Sequence, residues 1–217
     1  MVQILGNENS ILTQFIAELR DIEIQKDSLR FRKNLERIGE IFAYEISKRL
    51  EYKVAEITTP LGTTESKILS NYPVLAVIMR AGLPLHQGFL NFFDKSENAF
   101  LSSYRKYHKD GSFEVQIEYV SKPALEGREL ILIDPMLATG LSMALSYREL
   151  IEEEEKPVHA HFVSVIASLE GVNYIKRNFS SSEVTLWVGA IDDELTAQAY
   201  IVPGLGDAGD LAFGIKV

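Results

Sequence analysis

The sequence predicts an α/β protein built on an open, mostly parallel sheet flanked by helices. Three observations lead there. Residues 74–79 are a continuous apolar run, typical of a strand buried on both faces of a parallel sheet, and the largely apolar stretches 129–133, 158–167 and 184–191 read as further strands. Helix-period stretches alternate with them. Loops beginning at Arg80, Asp134 and Asp192 follow three of these runs, and open α/β sheets bind ligands beyond the carboxyl ends of their strands.

Each element has its own signal. Ile11, Leu12, Phe15, Ile16 and Leu19 recur at helical spacing behind Ser10, which suits an N-cap. A second helix starts near Asp27 and Ser28 and runs to about Leu50, with Phe31, Leu35, Ile38, Phe42 and Ile46 as its stripe. Residues 54–66 read as two short strands around Pro60–Leu61–Gly62. Residues 83–93 look helical. A strand at 99–104, the Lys109–Asp110–Gly111–Ser112 turn and the alternating Phe113, Val115, Ile117 and Tyr119 form a β-hairpin arm over 99–121. A helix over about 141–154 and another over 171–178 complete the alternation. Residues 192–217, rich in Gly and Asp, show no periodicity, and no repeat or linker divides the 217 residues, so one domain is expected.

The bulk numbers narrow the function. With 46% hydrophobic and 24% charged residues, the chain has the balance of a globular protein. A net charge of −9 argues against gripping a nucleic-acid backbone, which requires clustered Lys and Arg. With no cysteine, disulfides, thiolate catalysis and Cys-ligated zinc are excluded. No apolar run approaches the roughly 20 residues of a membrane span, and the N-terminus lacks a basic-then-apolar leader pattern. The expected setting is the cytoplasm.

The loop after the second run carries the most chemistry. A strand, then Asp134–Pro135–Met136–Leu137–Ala138–Thr139–Gly140–Leu141–Ser142, then a helix, aims free N–H groups at the loop and makes an anion site. Gly140 permits close approach of a phosphate, and the Thr139 and Ser142 hydroxyls can donate to it. Asp134 repels phosphate but suits ribose hydroxyls beside one. From local physics alone, a capping aspartate in a tight turn reads equally well.

That run resembles the signature by which type I phosphoribosyltransferases bind phosphoribosyl pyrophosphate (PRPP), in the form found in uracil phosphoribosyltransferases. The segment Tyr200–Ile201–Val202–Pro203–Gly204–Leu205–Gly206–Asp207–Ala208–Gly209–Asp210 is similar to the same family's uracil-recognition segment. Ile78–Met79–Arg80–Ala81–Gly82–Leu83 resembles its pyrophosphate loop, and Tyr104–Arg105 a further PRPP contact. The resemblance spans about residues 21–216. Leu141 departs from a usual second Gly, and Leu211 from a common basic residue.

The resemblance implies the type I phosphoribosyltransferase fold, with residues 1–52 as N-terminal helices and 192–217 as the base segment. It also implies displacement of pyrophosphate at ribose C1 by uracil N1, giving UMP, with no enzyme nucleophile. Catalytic roles fall to Arg80, Arg105, Asp134 and Asp207. PRPP would meet Arg80, Arg105, Asp207 and every residue from Asp134 to Ser142, with Ala138 to Ser142 on the 5-phosphate. Uracil would meet Tyr200, Ile201, Gly206, Asp207 and Ala208, largely through Gly206 and Ala208 amides and the Ile201 carbonyl. Magnesium would come with PRPP, with Asp207 as its protein contact, and the Arg80–Ala81 peptide would be cis. The family also implies a homodimer or dimer-based oligomer, and GTP activates some members. Another nucleobase substrate, or an RNA-binding sensor of PRPP or UMP, are the rival readings.

Other features read as structural. His159 and His161 share a strand face without an evident third ligand, His86 and His108 are isolated, and Glu152 to Glu155 form a solvated helix end.

Overall fold

The computed structural model describes residues 1–107, 113–151 and 156–216, and the side chains of these except 103–107 and 113–115. Along the chain come β1 (Val2–Ile4), α1 (Ile11–Arg20), α2 (Ser28–Ser47), β2 (Tyr52–Thr59), β3 (Gly62–Leu69), β4 (Val74–Met79), α3 (Leu83–Phe92) and β5 (Asn98–Tyr107). Then follow β6 (Phe113–Ser121), β7 (Glu129–Ile133), β8 (Met136–Leu137), α4 (Leu141–Leu150), β9 (His159–Ser168) and α5 (Leu169–Asn178). The chain closes with β10 (Val184–Asp192), β11 (Glu194–Leu195), β12 (Ile201–Val202) and α6 (Ala208–Phe213).

The main sheet has the order β1-β10-β9-β7-β4-β5-β6, with β8 paired to β9. Every pairing in it is parallel except that of β5 with β6. The expected open, mostly parallel sheet is therefore present. Its central strands bury both faces because each residue in turn meets a different layer. Leu130 and Leu132 pack with Met143, Tyr147 and Val172 from α4 and α5. Ile131 and Ile133 pack on the other side with Leu19, Phe42 and Phe89 from α1, α2 and α3. Ala208 and Ala212 of α6 join that second layer. No helix among the described residues is long and apolar enough to cross a membrane.

Some expectations change. The short strands around Pro60 are each eight residues long and form a separate antiparallel sheet, exposed along nearly its whole length. The helix expected to reach residue 154 ends at Leu150, with Ile151 extended; the Glu152 to Glu155 run lies outside the described residues. Three strand residues at the N-terminus and a six-residue helix at the C-terminus had no periodicity to announce them. Strands β5 and β6 build the expected arm, whose Lys109 to Ser112 turn and His108 lie outside the described residues.

The three described histidines pack into the fold. His161 is buried and accepts from Trp187 Nε1 at 3.0 Å, and burial pushes its pKa down. His159 lies beside it and bonds the Ser182 carbonyl and Thr185 hydroxyl. His86 is buried against Asn98 Oδ1 at 2.7 Å.

Helices α2 and α3 touch backbone to backbone. A Cβ on Gly88 would lie 2.0 Å from the Glu36 carbonyl oxygen, and one on Gly39 would lie 2.2 Å from that of Leu85. Neither helix can yield without moving the layer beneath it. Gly88→Ala is expected to cost about 3 kcal/mol, read as a fall in Tm of about 6–12 °C by circular dichroism. An unchanged Tm would mean that the two helices can part at this crossing.

A buried carboxylate joins α1 to α2. Glu18 accepts from Arg30 at 2.8 and 2.9 Å, Asn34 at 2.7 Å and Gln14 at 3.2 Å. The Arg30 hydrogen bonds, then that of Asn34, outweigh burial and hold its pKa at about 2, against 4.5 ordinarily. A depressed acid stabilises the fold above its unfolded pKa and stops doing so once protonated. Stability should therefore decline as pH falls from about 4.5 towards 2. In Glu18→Gln that part of the decline is expected to disappear from acid-denaturation curves.

Candidate active site

A cavity of about 590 Å³ opens at the carboxyl ends of the strands. The loop after β7, the turn after β4 and the segment after β12 converge on it. This is where the connections of an open parallel sheet leave their strand ends together.

The loop after β7 is held from behind. The Asp134 amide donates to the Val163 carbonyl at 3.1 Å, and Ser164 Oγ donates to the Asp134 carbonyl at 2.7 Å. Ser168 Oγ, which also caps α5, donates to the Ala138 carbonyl. Gly171 of α5 presses on the loop so closely that a Cβ there would sit 2.4 Å from the Ala138 oxygen. Gly140 adopts φ +83° at the N-cap of α4, and a Cβ on it would come within 3.0 Å of the Tyr174 ring. Glycine thus meets both the left-handed backbone and the close packing there. The first-turn amides of α4 face outward from this point, since a helix start leaves them without intrahelical acceptors.

Most expected residues meet at the cavity. Asp134, Met136, Leu137, Ala138, Thr139, Gly140 and Ser142 line it. Arg80, Tyr200, Ile201, Gly206, Asp207 and Ala208 do so as well. Pro135 and Leu141 do not. The Pro135 carbonyl instead accepts from the Val165 and Ile166 amides of β9, and Leu141 opens α4 with its amide 3.4 Å from Thr139 Oγ1. The Arg105 backbone lies in β5, paired with Val115, and its side chain lies outside the described residues. Tyr200 is 44% exposed, so it is a wall residue rather than a packed core tyrosine.

At the turn after β4 the cis peptide is Met79–Arg80, not Arg80–Ala81. Strand pairing runs through Met79, so the chain leaves the sheet at that bond.

Charges of both signs face the cavity. The Arg80 guanidinium reaches Asp210 Oδ1 at 3.2 Å and the Gly214 carbonyl at 3.3 Å. Asp207 caps α6, its Oδ1 accepting from the Asp210 amide at 3.0 Å. Its Oδ2 lies 3.7 Å from Lys216 Nζ, an ion pair without a short hydrogen bond. Lys216 and Asp210 both line the cavity, and neither was assigned a role from sequence. The one signal for Lys216 is that the resemblance runs to it, and Asp210 closes the segment similar to the uracil-recognition motif without a role of its own.

The donor set suits magnesium. Carboxylate oxygens from Asp134, Asp207 and Asp210 border the cavity, and magnesium favours one or two carboxylates together with substrate phosphates. Among the described residues no cluster of three or more His, Asp or Glu could hold a metal by itself.

Comparison with known proteins decides the family. The family model described as uracil phosphoribosyltransferase matches residues 7–215. The chain belongs to the uracil phosphoribosyltransferase family. It is 51% identical over 213 residues to the uracil phosphoribosyltransferase of Porphyromonas gingivalis, covering 98% of each. A solved protein of Aquifex aeolicus is 30% identical and matches over the full length of both chains with a TM-score of 0.87. A hypoxanthine phosphoribosyltransferase from Staphylococcus aureus is 14% identical, with a TM-score of 0.50 over 86% of this chain and 83% of its own. That last likeness is one of fold, the type I phosphoribosyltransferase fold. In this chain the cavity brings the loop after β7 and the segment around β12 and α6 to one space.

Proposed function

We propose that the chain joins uracil to the ribose 5-phosphate of PRPP, releasing UMP and pyrophosphate. The observation that supports this most is the shared cavity. The loop able to hold a 5-phosphate and the segment able to hold a flat base border one space of about 590 Å³, large enough for both substrates.

On this reading the 5-phosphate sits on the backbone from Ala138 to Ser142, with Thr139 and Ser142 donating hydroxyl hydrogens. Asp134 accepts from the ribose hydroxyls. Arg80 meets the pyrophosphate with its planar fork, and Arg105 adds charge from the arm. Asp207 would hold magnesium together with PRPP, which would supply most of its ligands, and the metal would neutralise charge on the leaving pyrophosphate.

Base choice rests on main-chain groups. Gly206 and Ala208 amides donate to the uracil carbonyls, and the Ile201 carbonyl accepts N3–H. Ala208 opens α6, so its amide has no intrahelical acceptor. Cytosine carries an amino donor in place of the C4 carbonyl and a bare acceptor at N3, so both positions are reversed and buried groups are left unpaired, which discriminates strongly. Tyr200 covers the base or ribose from the exposed side. Catalysis then comes from alignment and from stabilising the leaving group, with no covalent intermediate.

A second copy of this chain is the proposed partner. The detached β2–β3 sheet exposes Tyr52 and Val54 on one face, Ile57 and Ile68 on the other and Leu61 at its turn, scattered apolar groups that a second copy could cover. The test of the function is to offer uracil, cytosine and hypoxanthine separately with PRPP, with and without magnesium, and identify products by chromatography. UMP from uracil alone, dependent on magnesium, is the expected outcome. A nucleotide made from hypoxanthine but not from uracil would contradict the base assignment.

A further inference from the structure

The base segment is gripped from behind by a group outside the cavity. Arg20, the last residue of α1, forks onto Asp192 with Nη2 to Oδ1 at 2.7 Å and Nη1 to Oδ2 at 2.8 Å. The same Nη1 donates to the Gly204 carbonyl at 2.9 Å, and the Gly204 amide donates to Asp192 Oδ2 at 2.9 Å. Both polar groups of one peptide residue are thus held by a single ion pair. Asp192 is 8% exposed and ends β10, so it is a fixed point of the sheet.

Gly204 lies between Ile201 and Gly206, the residues whose main-chain groups meet the base in the proposed function. Its φ is +55°, and a Cβ on it would fall 2.1 Å from the Ile201 carbonyl oxygen, so Gly204 sits directly behind that acceptor. Main-chain donors and acceptors cannot swing on rotamers to meet a ligand. They are correctly placed only if the chain itself is held. A bidentate guanidinium–carboxylate pair is the most directional polar grip available for that purpose. Arg32 of α2 adds a second hold, donating to the Ala212 carbonyl of α6 at 2.7 Å.

We infer that Arg20 and Asp192 are positioning residues for the base: they set the Ile201–Gly206 main chain from behind, making α1 part of the uracil site. Burial raises the Asp192 pKa, but the Arg20 hydrogen bond, the Gly204 amide and the Arg20 charge together outweigh it. The carboxylate therefore stays ionised, as the grip requires. Arg20 sits at the C-terminal end of α1, where the helix dipole also favours a cation.

The inference rests on the proposed transfer to uracil, and the test separates the two. Initial rates would be measured for wild type, Arg20→Lys, Arg20→Ala and Asp192→Asn, varying uracil and PRPP in turn, with PRPP binding followed by calorimetry and Tm by circular dichroism. Arg20→Lys keeps the charge but loses the fork, so it should fold. The expected result is a rise in uracil KM of about tenfold or more in each variant, with PRPP binding within about twofold of wild type. Millimolar guanidinium ion should restore part of the uracil affinity in Arg20→Ala. Uracil KM unchanged in folded Arg20→Lys, or both KM values rising together, would overturn the inference alone. Wild-type protein that turns over no base would overturn the proposed function, and the inference with it.

Discussion

Arg80→Gln is expected to lower kcat by about 100- to 1000-fold, the scale on which removal of one preorganised donor acts when charge develops on a leaving group. Arg80 leaves β4 at the carboxyl edge of the sheet and lines the cavity. Residues of the base segment hold it there, through Asp210 Oδ1 at 3.2 Å and the Gly214 carbonyl at 3.3 Å. On the proposed reading pyrophosphate replaces these partners, and its hold on the guanidinium strengthens as the leaving group takes up charge. That is why kcat rather than KM should carry the loss. Arg80→Lys should recover little, because an ammonium cannot fork onto two oxygens. Asp210→Asn removes the competing carboxylate. Arg80 and Asp210 are 39% and 30% exposed, and exposed pairs are worth about 0–1 kcal/mol. PRPP KM should therefore fall by no more than about fivefold in Asp210→Asn. Wild-type kcat in Arg80→Gln, from steady-state rates, would remove Arg80 from the chemistry.

Asp134→Asn should lower kcat/KM for PRPP by about 10- to 100-fold, the range for losing a charge-assisted hydrogen bond. Asn keeps the shape, and its amide oxygen can still accept from the Met136 amide, which lies 3.3 Å from Asp134 Oδ1. The loop should keep its path, so the loss would report on the charge facing ribose. Uracil KM should stay near wild type, because Asp134 belongs to the phosphate loop and not to the base segment. An equal rise in both KM values would instead mean that the substitution collapses the loop.

The four apolar runs were legible because strands covered on both faces need no alternation, only length and β-branched residues. All four became strands of the main sheet. β1 was not legible, since Val2–Gln3–Ile4 is too short to show a period and its pairing with β10 lies nearly the whole chain away. The length of β2 and β3 was hidden for the opposite reason. Nearly every residue there is exposed, so no face is marked by hydrophobicity. α6 left only a capping trace, Asp207 followed by Asp210 three residues later.

At the site, the phosphate loop was readable because Thr139, Gly140 and Ser142 are local to one strand–helix junction. The Arg20–Asp192 grip was not, since its members lie 172 positions apart and no spacing rule connects them. Lys216 reaches the cavity through the fold of the tail, which carries no periodic signal.

On the proposed reading, one cavity holds both the phosphate loop and the base segment and performs the transfer. The most direct test is to incubate wild type, Arg80→Gln and Asp134→Asn with labelled uracil, PRPP and magnesium, measuring UMP and pyrophosphate together. Equal amounts of UMP and pyrophosphate from wild type, with both variants slowed yet folded by circular dichroism, are the predicted result. Pyrophosphate without UMP, or variants as fast as wild type, would contradict it.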